Sequence, residues 1–229
     1  MTGFDRYAIY YAPPPGALAQ FGAAWLGWDA ALGREVAHPE IVGLPRPVAT
    51  LTETPRKYGF HGTIKPPFRL AEGHRVEALH RATQALAARL APVSLDGLEL
   101  HRLGGFPAVT PVGDASALAA LAAEVVQGLD TFRAPPTEPE LARRRANDLS
   151  PRQQEMLARW GYPYVLDEFR FHMTLTGDLP ETEAKQVEAA LAPHIAPLLP
   201  RPFLVAELCL FGQADDGRFR ILHRYPLSG

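Results

Sequence analysis

The sequence predicts an α+β fold built on antiparallel sheet, and three observations lead to this. Strand-like segments alternate irregularly with single amphipathic helices, without the regular strand–helix repeat of a parallel sheet. Two pairs of strand-like segments are separated only by short turns containing glycine, as hairpin strands are. Hydrophobic residues make up 47% of the 229 residues, which is enough to bury a sizeable core in one large domain or two small lobes.

In the first half, strands are predicted from runs of β-preferring side chains and helices from apolar residues at helical spacing. The predicted elements are a strand over 6–12, a helix over 16–28, an irregular stretch over 29–57, a strand over 58–65 and a helix over 73–90. Prolines follow both strands and are predicted to end them, because proline cannot donate to a sheet.

The second half is predicted by the same signals. Its elements are strands over 93–102 and 106–112, a helix from 114 or 116 to 129, a strand over 168–176, a helix over 180–192, and strands over 203–211 and 218–225. A separate insert occupies about 131–164. Within it, Thr137 to Glu140 and Ser150 to Gln153 match capping boxes, so each is predicted to open a short helix, the second ending at Gly161. The arginine triplet at 143–145 is expected to be a solvated helix face, with substrate contact as the alternative.

Two predicted strands share one local pattern, an aromatic residue, any residue, Phe, His, any residue, Thr and an aliphatic residue. The first copy is Tyr58-Gly-Phe-His-Gly-Thr-Ile64, and the second is Phe169-Arg-Phe-His-Met-Thr-Leu175. They lie about half the chain length apart, as an internal duplication would place them.

Strand geometry puts the histidine and the threonine of each copy on one face. Side chains alternate with a period of two, so His61 and Thr63 face together, as do His172 and Thr174. The apolar neighbours take the opposite face and anchor each strand in a core. If the two copies lie side by side about a pseudo-twofold axis, the two pairs converge on one cleft.

Two imidazoles and two hydroxyls suit metal-free chemistry on a phosphodiester. One imidazole can deprotonate an attacking water while the other protonates the departing oxygen, since the reference pKa of histidine lies near neutrality. Threonine hydroxyls can donate to the non-bridging oxygens of the phosphate. The sequence does not decide which histidine is the base. No zinc-binding motif accompanies either histidine, and no metal or cofactor is expected.

The two motifs, His61-Gly-Thr63-Ile and His172-Met-Thr174-Leu, resemble those of the two-histidine (2H) phosphoesterase superfamily, which includes the RNA ligase-like cyclic phosphodiesterases. More closely, the chain resembles the branch of this superfamily associated with phosphonate metabolism. The segments that carry this likeness are Arg56-Lys-Tyr-Gly-Phe-His-Gly-Thr-Ile-Lys-Pro-Pro-Phe68, Leu141-Ala-Arg-Arg-Arg145, Ser150-Pro-Arg-Gln153, Arg159-Trp-Gly-Tyr-Pro-Tyr164 and Glu168-Phe-Arg-Phe-His-Met-Thr-Leu175.

This resemblance implies a single bilobal α+β domain over 1–229, with two pseudo-symmetric lobes of antiparallel sheet and helices around a central cleft. It implies metal-independent opening of a cyclic phosphate, with His61 and His172 as the catalytic pair and Thr63 and Thr174 holding the phosphate. It also implies a link to phosphonate catabolism and a small cyclic phosphate of a sugar or a nucleotide as the substrate, with a cyclic ribose phosphate or a related sugar phosphate favoured. The alternatives are a 2′,3′-cyclic RNA-end phosphodiesterase and a non-catalytic protein that binds nucleotides or sugar phosphates.

Four further residues are candidates for substrate contact, each with a plainer alternative. Lys65 has the alternation of His61, but it is equally a surface lysine at a strand end. Arg170 has the alternation of His172, but it could pair with Glu168 on the same face. Tyr162 and Tyr164 could shape substrate access, although aromatic residues are more often part of a core.

Composition limits which binding partners and which cellular compartment are expected. A net charge of −2 is poorly suited to a polyanion, so polymeric nucleic acid is an unlikely partner and a small phosphate ester is expected. No apolar run approaches the length of a membrane span, so no membrane partner is expected. One cysteine and the absence of a signal-peptide pattern predict a cytoplasmic protein.

Overall fold

The computed structural model describes residues 3–145 and 148–229. Within them, the strands are β1 (Phe4–Tyr11), β2 (Trp28–Asp29), β3 (Arg34–Glu35), β4 (Gly62–Phe68), β5 (Val93–Leu95), β6 (Gly97–Leu103), β7 (Phe106–Val112), β8 (Met173–Thr174), β9 (Phe203–Val205), β10 (Glu207–Ala214) and β11 (Phe219–Pro226). The helices are α1 (Ala17–Leu26), α2 (Val48–Leu51), α3 (Glu53–Arg56), α4 (Val76–Ala87), α5 (Ser116–Gly128), α6 (Glu138–Arg145), α7 (Pro151–Trp160) and α8 (Glu181–Ile195). Short 3-10 turns occur at Asp130–Phe132, Leu166–Glu168 and Ala196–Leu198.

Seven strands form one sheet in the order β11-β10-β1-β4-β8-β7-β6, and every pairing in it is antiparallel. The predicted α+β class is therefore confirmed. The two halves of the sheet each contain one H-x-T strand, β4 in the first and β8 in the second. They meet where these two strands pair, through Gly62 and Met173.

The two faces of this sheet have different surroundings. Helices α1, α4, α5 and α8 pack their apolar residues against one face and form the main core with side chains such as Ile9, Ile64 and Met173. On the other face Tyr10 and Phe211 belong to a smaller cluster with Trp28. This second face has no comparable helical layer over β4 and β8 among the described residues, and the polar residues of the two motifs lie on it.

Strand β4 differs from its prediction, because it begins at Gly62 and continues through Pro66 and Pro67 to Phe68. The prolines are tolerated because the register with β1 shifts here: Tyr7 pairs with Phe68, and Ile9 pairs with Lys65. A bulge leaves extra residues without a ladder partner, so the missing proline N–H groups cost no sheet hydrogen bond.

The predicted strand over 168–176 is mostly wrong. Only Met173–Thr174 is a strand, and a 3-10 turn at Leu166–Glu168 precedes it. The predicted strands over 93–102 and 203–211 each divide in two, and the separated pieces β5 and β9 pair with one another. The stretch predicted as irregular over 29–57 contains four short elements. These are the end of strand β2, strand β3, and helices α2 and α3.

The insert contains the two predicted helices, α6 and α7. Ser150 accepts from the backbone N–H of Gln153, whose side chain accepts from the backbone of Ser150, and this confirms the second capping box. Glu140 and Thr137 make the corresponding contacts at the first. The side chains of the triplet 143–145 fall outside the described residues. Within the described ranges, we find no helix with the length and apolarity needed to traverse a bilayer.

We expect Gly62→Ala to lower the free energy of unfolding by about 1–3 kcal/mol, since a new methyl group here overpacks the core. An added Cβ at Gly62 would overlap the ring of Phe171. Urea denaturation measures the change. In a Phe171→Leu background the penalty should shrink, whereas Gly16→Ala, where a Cβ would meet only Pro14 O at 3.8 Å, is the matched control. Equal stability of Gly62→Ala and the unsubstituted chain would contradict this packing.

Candidate active site

The pairing of β4 with β8 brings the two H-x-T motifs together at the centre of the sheet. Gly62 lies opposite Met173 in antiparallel register. Continuing that register by one residue in each direction places His61 opposite Thr174 and Thr63 opposite His172. Residues directly opposite each other project to the same face. All four side chains therefore share the face that the helices leave uncovered, and all four are partly exposed.

Each histidine ring is held by the same backbone contact. His61 Nδ1 lies 2.9 Å from the carbonyl oxygen of Gly59, and His172 Nδ1 lies 2.8 Å from that of Arg170. A carbonyl only accepts, so in each neutral ring Nδ1 carries the proton and Nε2 keeps its lone pair. Thr63 Oγ1 lies 3.3 Å from His61 Nε2 and donates to it in this tautomer. Both rings thus present a proton acceptor.

Local sequence explains how the first of these contacts forms. Gly59 has φ of +74°, in the left-handed region that favours glycine, and an added Cβ there would lie 2.7 Å from Cβ of Ala30. Only glycine fits this turn. The turn reverses the chain after α3 and aims the Gly59 carbonyl at the His61 ring.

Aromatic side chains fix the orientation of both imidazoles. Tyr10 of β1 stacks on His61 with ring centroids 3.9 Å apart and an interplanar angle of 28°. Tyr58 lies 5.8 Å from the same ring and itself stacks on Phe219 at 5.2 Å. On the other side Phe106 of β7 lies 5.8 Å from the ring of His172. The His61 ring is therefore the more tightly enclosed.

The surroundings keep both imidazoles neutral. Burial lowers the pKa of His61 to about 4, against the opposing hydrogen bond to Gly59, and the positive charge of a protonated His172 lowers it further. Burial also lowers the pKa of His172, against the bond to the Arg170 carbonyl. At pH 7 each ring is therefore neutral and carries a lone pair on Nε2.

Lys65 does not lie beside His61. The bulge between Thr63 and Lys65 breaks the alternation on which that expectation rested, and Lys65 pairs in register with Ile9 instead. Its side chain is 2% exposed, and its ammonium donates to Val126 O at 2.9 Å and pairs with Asp130 at 3.4 Å. The structure gives it a buried partner in place of a surface position.

Arg170 lies two residues before His172, and the two insert tyrosines follow the end of α7. Arg170 is exposed, and Glu168, its alternative partner, accepts instead from Gln153 at 2.9 Å. Tyr162 is half-buried, Tyr164 is 42% exposed, and their rings meet edge to face at 5.7 Å.

Two neighbours of the site were missed because strand register cannot be inferred from local sequence. The pairing of Ala108 with Thr174 places Thr110 of β7 beside His172 when continued, adding a third hydroxyl to this face. Arg6 of β1 lies on the same face as Tyr10 after the shift in register at Phe4, and it donates to Gln213 at 2.6 Å. Alternation along β1 and β7 predicts the faces of these residues, but only pairing identifies their neighbours.

A groove lies beside the second motif, and neither His172 nor Thr174 lines it. This groove, of about 440 Å³, runs past Arg170, Thr110, Glu99 and His101. A cavity of about 660 Å³ lies elsewhere, between α6 and α7 of the insert, and none of the predicted site residues lines it. Among the residues that the structure describes, no three His, Cys, Asp or Glu side chains form a group that could hold a metal ion.

Comparison with known families adds one match. The family described as "Protein of unknown function (DUF1045)" matches residues 63–220, which include Thr63 and the whole second motif.

Curated relatives carry the name of a kinase. The chain is 38% identical to "Ribose 1,5-bisphosphate phosphokinase PhnN" of Janthinobacterium sp. (strain Marseille), over 98% of this chain and 51% of that protein. It is 40% identical to the protein of the same name from Laribacter hongkongensis (strain HLHK9), over 93% of this chain and 49% of that protein. The chain thus spans about half the length of the curated relatives it matches.

Solved structures show more distant likeness. The crystal structure of TT0787 of Thermus thermophilus aligns with 15% identity over 98% of both chains, at a TM-score of 0.45. That of E. coli LigT complexed with 3′-AMP aligns with 15% identity over 99% of both chains, at a TM-score of 0.42.

We expect the imidazole of His61 to titrate at about pH 4, because its burial against Tyr10 disfavours the charged ring. NMR titration of the histidine side chains measures this midpoint, with His61→Asn used to assign the resonance. The neutral ring should show the tautomer with the proton on Nδ1. A midpoint at or above the ordinary value near 6.5 would contradict the enclosed geometry.

Proposed function

We propose that this chain, a member of the DUF1045 family, opens a small cyclic phosphate without a metal ion. Its sequence resembles the phosphonate-associated branch of the 2H phosphoesterases, which supports this proposal. The observation that carries this proposal is the pairing of two H-x-T motifs on neighbouring strands, with both rings presenting Nε2. His61 and His172 are the proposed acid and base, and Thr63 and Thr174 the proposed phosphate-binding residues.

The reaction is an in-line displacement at phosphorus. The neutral imidazole takes a proton from water through Nε2 as the water oxygen bonds to phosphorus. The bond from phosphorus to one ring oxygen of the cyclic ester breaks on the opposite side, and the second histidine, protonated, donates its Nε2 proton to that oxygen. The threonine hydroxyls donate to the non-bridging oxygens, where charge accumulates. The product is a phosphate monoester, and the two histidines have exchanged protonation states.

The environments of the two rings favour His61 as the base. Its pKa of about 4 keeps it neutral over the physiological range. Burial lowers the pKa of His172 as well, so His172 can act as the acid only if its protonated form is stabilised when substrate binds. A bound phosphodiester provides this stabilisation, because its negative charge favours a neighbouring imidazolium.

The names of the relatives support a ribose phosphate as the substrate. Proteins of twice this length carry the name of a kinase that acts on a ribose bisphosphate, and one part of each matches this chain. The present sequence contains no G-x-x-x-x-G-K-[ST] loop, which nucleotide kinases use for phosphates, so we assign kinase activity to the part that this chain does not match. A domain joined to such a kinase is well placed to act on a related phosphorylated sugar. The net charge of −2 also suits a small substrate better than a polymer.

A screen of cyclic phosphates tests the proposal. We expect turnover of a cyclic ribose phosphate that persists in a chelator, and His61→Asn or His172→Asn should each lower kcat by about 10²–10⁴-fold, as for other general acids and bases. Asparagine retains a side-chain N–H to donate to the backbone carbonyl, so the fold is preserved. His194→Asn, on the exposed surface of α8, is the matched control and should keep full activity.

Three outcomes of this screen would change the proposal. Preference for 2′,3′-cyclic ends of RNA would identify the alternative phosphodiesterase. Binding of phosphate esters without turnover would identify a non-catalytic protein. Full activity in either histidine variant would refute the shared roles of the two rings.

We expect kcat/KM to follow a bell-shaped pH profile whose optimum lies at acidic pH. The base loses function as it is protonated near pH 4, and the acid loses its proton below the ordinary histidine value near 6.5, so kcat/KM should decline above that pH. Initial rates from about pH 3.5 to about pH 9 measure the two limbs. In Tyr10→Leu, which removes the stacked ring, the acidic limb should move upward. A profile that is flat from about pH 5 to about pH 9 would contradict this assignment.

A further inference from the structure

A polar connection begins at Lys65, the residue two positions beyond Thr63 in β4. Its ammonium donates to the carbonyl oxygen of Val126 at 2.9 Å, in the last turn of α5, where carbonyls lack helical partners. The same ammonium pairs with Asp130 at 3.4 Å. An uncompensated buried ammonium would be costly, so these two contacts fix Lys65 and hold the end of α5 against the strand that carries Thr63.

The connection continues from Asp130 into the insert. Both carboxylate oxygens of Asp130 accept from Arg133, at 2.7 and 3.0 Å, in a bidentate pair. Arg133 also donates to the carbonyl oxygen of Arg159 at 3.1 Å, in the last turn of α7. A Cβ on Gly161, whose φ is +72°, would lie 2.9 Å from the Arg133 guanidinium. The guanidinium therefore packs directly against the turn that ends α7.

That turn places Tyr162 against the cluster of Val126, whose carbonyl oxygen accepts from Lys65. Tyr162 follows Gly161 immediately, and it packs near Val126 of α5. Burial raises the pKa of Tyr10 well above its ordinary value, and the nearby phenols of Tyr58 and Tyr162 add to that effect. Through Val126 and Lys65, Tyr162 is therefore connected by direct contacts to the strand that carries Thr63.

We propose that Lys65, Asp130 and Arg133 are positioning residues that lock the Gly161–Tyr162 turn to β4, so that Tyr162 is held where it contacts the organic part of the substrate. The part of this inference that concerns substrate binding rests on the proposed phosphodiesterase function. Lys65 and Arg133 do not touch the phosphate; they act through Tyr162. Sequence alternation made Lys65 a candidate for the site itself, whereas in this proposal it acts indirectly.

Arg133→Lys keeps the charge but loses the bidentate geometry, and it is the main test. With the cyclic phosphate that the protein turns over, we expect KM to rise about tenfold and kcat to change less than about threefold, since the histidines are untouched. Tyr162→Ala should raise KM similarly. In the Tyr162→Ala background, Arg133→Lys should have no further effect on KM, because its action runs through the missing ring. Lys65→Met provides a second variant with the same expected result.

Arg152→Lys is the matched control. Arg152 lies on the exposed side of α7 and makes a bidentate pair with Asp167 outside this connection, so its KM should not change. An equal rise in KM for Arg133→Lys with and without Tyr162 would overturn the proposal, as would a fall in kcat at unchanged KM.

Hydrogen–deuterium exchange tests the physical link without any turnover. Residues 161–165 should exchange about tenfold faster in Arg133→Lys than in Arg152→Lys, because the local opening becomes easier. Equal exchange in the two variants would refute the link itself. Faster exchange in a protein that hydrolyses no cyclic phosphate would instead refute the proposed function and leave the link standing.

Discussion

The pairing of Gly62 with Met173 is the contact on which the candidate site depends. It joins the two halves of the sheet, and it sets the register that puts each histidine opposite the threonine of the other motif. A slip of one residue would turn one motif to the opposite face. Gly62 is required there because the ring of Phe171 occupies the space that a side chain would fill. Packing on the covered face thus determines the chemistry of the open face.

The symmetry of this arrangement extends to the hydrogen bonds but not to the environment. Each ring donates through Nδ1 to the carbonyl two residues earlier, so both keep Nε2 for the substrate. The aromatic surroundings differ, since Tyr10 stacks directly on His61, while Phe106 lies farther from His172. Two like groups in unlike settings hold protons differently, as an acid and a base must.

The sequence predicts the motifs, their faces and most helices, because alternation and helical periodicity are local properties. It does not predict that β8 is only two residues long, since the β-preferring side chains around His172 pack in the core without forming a ladder. Lys65 shows the same limit within one strand. A bulge at Ile64, set by pairing with β1, moves its side chain from the predicted face into a buried ion pair. Thr110 and Arg6 join the site only through pairing of distant strands.

The central claim is that both imidazoles act on one phosphorus atom. A crystal structure with orthovanadate, which adopts the five-coordinate geometry of an in-line displacement, tests it most directly. The account predicts vanadium between the two Nε2 atoms, with Thr63 and Thr174 hydroxyls on its equatorial oxygens. Vanadate bound to a single histidine, or bound away from both, would contradict it.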